Sequence, residues 1–378
     1  MQLAYLSLGA LAFFTLWQLY FHFRYFIKLA AYKGGRKSES HGHEPVSIIV
    51  VARNEFANLE ANLPLLLDQD YPDYEVIVVN NGSWDKSQEL LEEMEEQHAR
   101  LKVVKIVEQE RYPKGKKFGL TLGIKAAGNE WLLLTDSDCK PVGRNWIRSM
   151  SANFVENKEI CLGYSPYEKK PDFLNILIRF DAFFTALQYL SFALAGKPYM
   201  GVGRNLAYRK SLFFRVKGFA THNHILSGDD DLFINETATS KNTRICIHPD
   251  SFMVTTPKEA WEDWIKQKKR HLGVGKYYSA SSKTRLAGLH ASSVLFYVSL
   301  AAAIFFCFPH QENLFFLIPL WIYLTRLISQ FFVYGFAMKR LKETNLIYFL
   351  PLLDLYFMFF YFFMGVAATL SRPRKNTW

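Results

Sequence analysis

Cysteine is scarce in this 378-residue chain, and its four cysteines stand far apart, at Cys139, Cys161, Cys246 and Cys307. No two of them form a CxxC pair or adopt the spacing of a zinc site. Isolated cysteines of this kind are typical of free thiols in a reducing compartment. The sequence therefore predicts neither a disulfide framework nor a structural zinc site.

Two glycine-rich nucleotide motifs are also missing. The first apolar run of the polar part of the chain is not followed by GxGxxG, and GxxxxGK[ST] does not occur. The first absence argues against a dinucleotide-binding fold and the second against a P-loop NTPase. Any nucleotide site in this protein has to use other side chains.

Aromatic residues, in contrast, are abundant at 16% of the chain, and many lie in long apolar runs at its two ends. The first run extends over residues 3–32, and about 20 apolar residues suffice to cross a bilayer. No small-residue cleavage site comes after it, which argues against a signal peptide. Residues 1–32 are therefore predicted to be a transmembrane anchor, and the basic residues after it predict that the adjoining polar domain is cytoplasmic.

Three further apolar runs, at residues 286–308, 314–338 and 346–370, predict a C-terminal transmembrane region over residues 285–371 with about three helices. A basic tail occupies residues 372–378. Basic residues at the ends of these runs place those ends inside, which puts the tail outside.

The part between the anchor and these runs divides into a linker and a larger domain. Residues 33–44 (KGGRKSESHGHE) are glycine-rich and charged, as linkers are, and residues 45–284 have the composition of a folded domain. Residues 173–195 are strongly apolar but contain Arg179 and Asp181. That segment predicts either an amphipathic helix at the membrane interface or an internal core helix.

The formal net charge of +10 does not indicate nucleic-acid binding. Many lysines and arginines lie beside the apolar runs, as at Lys28, Lys33, Arg36 and Lys37. Basic residues in such places contact the anionic headgroups of membrane lipids. Membrane lipids are therefore expected partners, and nucleic acid is not.

The domain itself alternates short apolar segments with helical periodicity. Strands are predicted at residues 46–51, 75–79, 102–107 and 131–134, and helices at residues 56–67, 87–98 and 116–127. Strands that alternate with helices form a mostly parallel sheet with helices on both faces. The predicted fold class is accordingly α/β.

Polar residues come directly after three of these strands, where ligands bind in open parallel sheets. They are Arg53, Asn54 and Glu55 after the first strand, Asn80, Asn81 and Asp85 after the second, and Asp136 and Asp138 after the fourth. Two carboxylates one residue apart suit Mg²⁺ or Mn²⁺ shared with a diphosphate, although aspartates also form ordinary turns.

A second acidic group stands at residues 229–231 and is either a solvated loop or the source of a general base. Lys114, Lys116 and Lys117 precede a helical segment and suit neutralisation of a diphosphate. Arg270 suits a bidentate contact with a leaving diphosphate, whereas Lys268 and Lys269 are expected to contact only lipid headgroups.

In order along the chain, these segments resemble the motifs of family 2 glycosyltransferases, whose nucleotide-sugar fold is called GT-A. VSIIVVARNE is similar to the first strand and loop of that family, VIVVNNGSWDKS to its VVDDGSxDxS, and GKKFGLTLGIKAA to its GKxxALNxGI. TDSD is similar to the metal-binding acidic motif, GDDD to the catalytic ED or GDD element, and QKKRH to QxxRW, with His271 in the place of tryptophan. The resemblance extends over residues 45–278.

The resemblance implies a role for each matching residue. It implies donor binding by Arg53, Asn54, Glu55, Asn81, Asp85, Lys116, Asp136, Gln267 and Arg270. It implies Asp138 as the main metal ligand with Asp136 in support. It implies Asp230 as the catalytic base with Asp229 beside it.

The implied activity is an inverting, metal-dependent transfer of a sugar from a nucleotide diphosphate sugar to a hydroxyl acceptor, which is lipid-linked or a saccharide. The setting implied is cell-envelope synthesis at the cytoplasmic face of the inner membrane. A nucleotidyltransferase is one alternative, but ARNEFANLEAN lacks the glycine-rich basic loop that grips a triphosphate. A membrane transport or scaffold subunit with a nucleotide-sensing domain is another.

Overall fold

The structure is a computed structural model that describes residues 1–34, 44–107, 115–225, 227–310 and 314–370. Lys114, the predicted tail 372–378 and most of the predicted linker 33–44 lie outside the described residues.

A mixed sheet forms the centre of the polar domain. The strands are β1 (Val46–Ala52), β2 (Tyr74–Asn81), β3 (Leu101–Ile106), β4 (Trp131–Asp136), β5 (Cys139–Pro141), β6 (Ile160–Leu162), β7 (Leu206–Arg209), β8 (Thr243–Ile245) and β9 (Met253–Thr255). Seven of them form one sheet in the order β3-β2-β1-β4-β7-β6-β8, and β5 pairs with β9. The first four strands run parallel, whereas β7 is antiparallel to both its neighbours.

Helices precede, connect and follow the strands. They are α1 (Gln2–Phe21), continued through a π-helical turn (His22–Phe26) into α2 (Ile27–Ala30), then α3 (Phe56–Leu67), α4 (Ser87–Gln97), α5 (Lys116–Ala126), α6 (Trp146–Ser151), α7 (Phe173–Leu194), α8 (Lys210–Arg215), α9 (Asp231–Thr237), α10 (Trp261–Leu272), α11 (Ala280–Cys307), α12 (Ile318–Arg340) and α13 (Leu350–Leu370). Every helix predicted in the domain is present, with ends within one residue of the prediction.

Alternate side chains of the central strands pack on opposite faces of the sheet. On β1, Ile49 and Val51 join the core that contains α5 and α7, and Ile48 and Val50 join the core that contains α3, α4 and α6. Both faces of the parallel strands are therefore covered by helices, as the near-continuous apolar segments require. The predicted α/β fold class with helices on both faces is confirmed.

Helix α5 lies unusually close to the sheet because two of its residues are glycines. A Cβ atom on Gly123 would stand 2.9 Å from side-chain carbons of both Ile49 and Val79, and one on Gly119 would stand 2.9 Å from Val51. This close packing sets the position of Lys116, the first residue of the helix.

Five helical segments of the described residues are long and apolar enough to cross a membrane: Gln2–Ala30, Phe173–Leu194, Ala280–His310, Leu314–Arg340 and Thr344–Ala367. Four of them bury only 28–33% of their most apolar window and expose large apolar side chains, as a lipid-facing helix does. The exception, α7, buries 72% and packs inside the protein. These segments are compatible with a membrane protein.

Helix α7 is fixed to the apolar helices by buried charges. Arg179 pairs with Glu343, which lies just after α12, and Asp181 pairs with Lys268 of α10 at 2.7 Å. Asp181 also accepts a hydrogen bond from Tyr361 of α13 at 2.5 Å. The sequence predicted that Lys268 contacts lipid headgroups, and this prediction is wrong. Lys268 instead neutralises a carboxylate inside the protein.

Candidate active site

The loops after β1 and β2 interlock through hydrogen bonds. Asp85 accepts from the backbone N–H of Phe56 at 3.1 Å and of Ser87 at 3.0 Å, and Asn54 accepts from the backbone N–H of Trp84 at 2.9 Å. Burial acts in the opposite direction, but the hydrogen bonds from Ser87 and Phe56 lower the pKa of Asp85. Asn54, Glu55 and Asp85 line one surface cavity of about 370 Å³.

The two asparagines at the end of β2 differ in what they contact. Asn80 donates to Gln88 and accepts from the backbone N–H of Ser83, so it holds the loop. The side-chain N–H₂ of Asn81 is buried and has no hydrogen-bond partner in the described part of the chain. Buried donors are almost always satisfied, so Asn81 suits a contact with a bound ligand. Nearby, Arg53 stacks on the exposed ring of Trp84 at 5.3 Å.

Lys116 joins the two acidic groups. Its Nζ lies 2.5 Å from Asp136 Oδ1 and 3.2 Å from Asp229 Oδ2, although 93 residues separate the two aspartates. Burial opposes the charge on Lys116, but the nearby carboxylates, Asp136 first, raise the pKa of this lysine well above its ordinary value. Asp136 and Asp229 therefore face one site.

Asp138 carries the electrostatic features of a cation ligand. Burial and then repulsion from Asp136 raise the pKa of Asp138, whereas Lys116 holds the pKa of Asp136 below its ordinary value against the effect of burial. A divalent cation would relieve the repulsion felt by Asp138.

The ligand set fits a hard cation that is shared with substrate. In the residues that the structure describes, no three His, Cys, Asp or Glu side chains come together as a complete metal site. Mg²⁺ is commonly held by one or two carboxylates together with phosphate oxygens and water. Asp138 and Asp136 fit that arrangement.

Asp230 is oriented by two backbone N–H groups. Gly203 donates to its Oδ2 at 2.6 Å and Asp231 to its Oδ1 at 2.7 Å. Burial and then the charge of Asp229 raise the pKa of Asp230 to about 6. A carboxylate with a pKa close to neutral pH, in a fixed orientation, has the properties of a general base.

Asp231, the third acid of the group, has different hydrogen-bond partners from the other two. Its Oδ2 accepts a hydrogen bond from the Tyr278 hydroxyl at 2.7 Å, and its Oδ1 accepts from the backbone N–H of Leu232. Burial raises the pKa of Asp231 to about 8, so this side chain is mostly neutral at pH 7. Its contacts join α9 to the segment that leads into α11.

Helix α10 presents Arg270 toward the same region without direct contact with the acids. The positive charge of Arg270 contributes to the lowered pKa of Asp136, which places this side chain near the acidic motif. Gln267 lies one turn earlier on the helix and is half-buried, and His271 is exposed.

Two basic residues of this region have contacts that the sequence did not predict. Lys117 donates to the carbonyl oxygens of His222 and Ile225 at 2.8 and 2.9 Å, so it supports the loop before the second acidic group. Arg204 was not singled out at all, because it lies in a three-residue 3₁₀ turn, Gly203–Asn205, outside any motif. The glycines on either side of Val202 were the one available sign of a close backbone approach.

Comparison with known proteins agrees with this architecture. The profile of Glycosyl transferase family 2 matches residues 47–216, and that of Glycosyl transferase family group 2 matches residues 152–369. The Poly-beta-1,6-N-acetyl-D-glucosamine synthase of Staphylococcus epidermidis is 32% identical over 102 residues, which are 27% of this chain and 24% of that protein. Glycosyltransferase AglE of Haloferax volcanii is 26% identical over 187 residues, 49% of this chain and 58% of that protein.

A solved structure shares the fold. The mannosyltransferase PcManGT from Pyrobaculum calidifontis, in complex with GDP-Man and Mn²⁺, superposes with a TM-score of 0.59 at 20% identity and covers 90% of this chain and 99% of its own. The chain spans only about a quarter and about three fifths of the two sequence relatives named above. Since one family profile alone covers more than half of the chain, and the sheet has the GT-A arrangement, the chain belongs to the family 2 glycosyltransferases.

Proposed function

We propose that this protein transfers a sugar from a nucleotide diphosphate sugar to a hydroxyl acceptor, with inversion at the anomeric carbon and with Mg²⁺ or Mn²⁺ bound at Asp138 and Asp136. In this proposal residues 45–284 form the catalytic domain on the cytoplasmic side of the cell membrane. The anchor 1–32 and the region 285–371 hold it there, in a role in cell-envelope glycolipid or polysaccharide synthesis.

One observation carries the proposal: Lys116 bridges Asp136 and Asp229, at 2.5 and 3.2 Å. A glycosyl transfer needs the acids that bind the donor and the base that deprotonates the acceptor to lie close together, because the acceptor hydroxyl must reach the anomeric carbon of the bound donor. Nucleotide sensing alone needs no second acidic group, and a nucleotidyltransferase is not favoured by the family profiles.

On the donor side, the residues divide by the part of the donor they contact. Arg53, Asn54, Asp85 and the unpaired amide of Asn81 suit the base and ribose, and Glu55, half-buried beside Asp138, connects that cavity to the acidic motif. Lys116, Gln267 and Arg270 surround the diphosphate. When bound, the divalent cation supplies positive charge that stabilises the leaving nucleotide diphosphate.

On the acceptor side, Asp230 removes the proton of the attacking hydroxyl. Its two backbone hydrogen bonds hold the carboxylate in place, and the remaining lone pairs of its oxygens can accept that proton. Lys116 pairs with Asp229 and offsets only part of its charge, so Asp229 still helps to raise the pKa of Asp230. Attack from the side opposite the diphosphate inverts the anomeric carbon.

The acceptor is proposed to be lipid-linked or a saccharide that reaches the site from the membrane surface. Asp181 of α7, which pairs with Lys268 of α10, also accepts a hydrogen bond from Tyr361 of α13, and this contact joins the domain to the apolar helices. Tyr278, hydrogen-bonded to Asp231, lies only two residues before α11.

A screen of nucleotide sugars tests the proposal. The full-length protein in detergent is incubated with GDP-mannose, UDP-N-acetylglucosamine and other donors, with Mn²⁺ or with EDTA. We expect one donor class to raise the melting temperature and to be hydrolysed slowly, in both cases only with the metal, because a ligand that binds the folded state alone stabilises it.

Asp138→Asn serves as the matched variant in that screen. We expect it to lose the metal-dependent shift, because its amide is a weaker ligand for a hard cation. A protein that responds to no nucleotide sugar with Mn²⁺, or responds equally in EDTA, would contradict the proposal.

A further inference from the structure

We propose that Arg204 is an additional substrate-binding residue of this site, one that holds a phosphate group of a substrate beside Asp138. The inference rests on the proposed function and adds to it a residue that no motif contains. Its basis is how the turn is held in place and which groups the guanidinium contacts.

The turn Gly203–Asn205 is attached to both acidic groups through its backbone. The N–H of Gly203 donates to Asp230 at 2.6 Å, and the carbonyl oxygen of Arg204 accepts from the Thr135 hydroxyl at 3.0 Å. Thr135 directly precedes Asp136 in β4. The backbone of the turn is therefore hydrogen-bonded both to Asp230 and to the residue that precedes Asp136.

The neighbouring Asn205 makes the turn rigid. Its buried side chain donates to the carbonyl oxygens of Tyr164 and Ser251 at 2.8 and 2.7 Å and accepts from the Trp146 indole at 3.1 Å. A side chain whose hydrogen bonds are all made inside the core fixes the backbone around it. The backbone that carries the Arg204 side chain is therefore fixed in position.

Two side chains, Thr255 and Cys139, connect the guanidinium of Arg204 to Asp138. The guanidinium donates to Thr255 Oγ1 at 2.9 Å, and that oxygen lies 3.2 Å from Cys139 Sγ, whose thiol contacts Asp138 Oδ1 at 3.4 Å. Asp138 would hold the cation, and Arg204 would supply a second positive charge, from the protein itself, for a substrate phosphate bound in this region.

The guanidinium of Arg204 forms no ion pair with a carboxylate among the described residues. In the described part of the chain its contacts are the Thr255 hydroxyl and the face of Tyr167, at 4.6 Å from the ring centre. The buried arginines Arg179 and Arg326, in contrast, are each paired with a carboxylate. A guanidinium has five N–H donors, so Arg204 retains donors for a bidentate contact with phosphate.

A purely structural role is the competing explanation, in which Arg204 only fastens β9 to the turn. The chain offers a matched control for it. Arg209, at the end of β7, also stacks on an aromatic ring, Trp131 at 4.8 Å, and donates to a backbone carbonyl at 3.0 Å. It lies at the opposite end of that strand from the turn that touches the acids.

The experiment measures binding of UDP and GDP, with Mn²⁺, to the full-length protein and its variants in detergent, with uridine and guanosine as comparisons without phosphate. We expect Arg204→Met to weaken binding of the preferred diphosphate at least tenfold and to leave nucleoside binding unchanged. Arg204→Lys should recover part of the loss because it keeps the charge, and Arg209→Met should bind as the wild type does. Melting temperatures without ligand verify that each variant is folded.

A second arm distinguishes the source of the phosphate. If diphosphate binding is unchanged in Arg204→Met but the KM for a polyprenyl phosphate acceptor rises tenfold or more, the bound phosphate belongs to the acceptor. If neither quantity changes in a folded Arg204→Met protein while the wild type binds a diphosphate, the inference is overturned and the proposed function stands. A wild-type protein that binds no nucleoside diphosphate removes both.

Discussion

Three adjacent aspartates with the same side chain have three different surroundings. Asp229 lies against Lys116, Asp230 is held by two backbone N–H groups, and Asp231 accepts a hydrogen bond from Tyr278. Burial and mutual repulsion raise the pKa of Asp230 to about 6 and that of Asp231 to about 8. Neighbouring carboxyl groups can therefore be in different protonation states at one pH, which a run of identical letters in the sequence does not reveal.

The raised pKa of Asp230 predicts the pH dependence of the reaction. A general base acts only when it is deprotonated, so kcat/KM should be low below pH 6, rise as pH passes through about 6, and level off above it. Asp230→Asn should lose about 10²- to 10⁴-fold in kcat, with little change in donor binding. Initial rates between pH 4.5 and 8.5 measure both effects.

Asp231→Asn is the matched control for that prediction. Because Asp231 is mostly neutral at pH 7, an amide should replace it with a loss of activity of less than about tenfold and with the pH midpoint retained. A fully active Asp230→Asn protein, or a profile without a rise near pH 6, would remove Asp230 from the role of base.

At the scale of single residues, the sequence singled out the acids of the candidate site but not the partners that these acids have in the structure. Short motifs next to strands and helices contain Asp136, Asp138 and Asp230. Such motifs can be recognised in the amino-acid sequence. The Lys116 bridge and the placement of Arg204 depend on contacts between residues 20 to 113 positions apart, which no local pattern encodes.

Helix α5 is the element whose packing controls the site most directly. Its first residue, Lys116, bridges the acids, and its glycines allow the helix to lie against β1 and β2. A helix that approaches the sheet this closely places its N-terminus within reach of the strand ends. The glycines thus serve the site, although glycine in a helix costs roughly 1 kcal/mol relative to alanine.

Gly123→Ala should therefore destabilise the protein, although alanine is the better helix former. The new methyl group would stand 2.9 Å from both Ile49 and Val79, and overpacking of this kind typically costs about 1–3 kcal/mol. Thermal unfolding in detergent should show a lower melting temperature, and the shifted helix should lower activity through Lys116.

Gly9→Ala is the comparison for helix propensity, since a Cβ there meets nothing within 4 Å. We expect its melting temperature to be unchanged or slightly higher. Equal effects of the two substitutions would show that close packing of α5 is not the cause.

Elements were predictable where their signal is local. The helices α3, α4 and α5 and the strands β1 to β4 have the periodicity and turn signals of their own segments, and all seven were predicted. The short strands β5, β6, β8 and β9 have only three residues each and exist because of distant partners, such as β9 for β5. Three residues are too few for a period to appear.

At the scale of the whole molecule, α7 connects the sheet to the apolar helices. It is long and apolar enough to cross a membrane, yet it is the most buried of the five candidate segments, and its charges pair inside the protein. Of the two predictions for residues 173–195, its burial favours an internal helix over one lying on the membrane surface. Two of the charged residues that interrupt its apolar sequence, Arg179 and Asp181, contact Glu343 after α12 and Tyr361 of α13, and these contacts join the domain to the apolar helices.

Lys268→Met should destabilise the molecule strongly because it leaves Asp181 buried without its cation. Removal of one partner of a buried ion pair costs about 3–5 kcal/mol, whereas removal of both charges costs much less. The double variant Asp181→Asn with Lys268→Met should therefore recover more than half of the lost stability, since asparagine can still accept from Tyr361. Thermal unfolding of the four proteins in detergent measures the coupling.

The exposed pair Arg144–Asp68, at 2.8 Å and about two thirds exposed on both sides, is the control for that series. Arg144→Met should change stability by less than about 1 kcal/mol, because water screens exposed ion pairs. A Lys268→Met protein as stable as the wild type would mean that the buried pair does not stabilise the packing of α7 against α10.

The sequence by itself determined the α/β class, the three apolar C-terminal helices and the N-terminal one, and the acids of the candidate site. These features arise from local periodicity and from short motifs, which are written in consecutive residues. Only the tertiary structure decided that α7 is internal and that Lys268 pairs with Asp181. It also decided that Lys116 contacts Asp136 and that Arg204 donates a hydrogen bond to Thr255. Those facts depend on burial and on charges brought together by the folded sheet and helices, and a carboxylate removed from water acquires its partner and its pKa from neighbours far away in the chain.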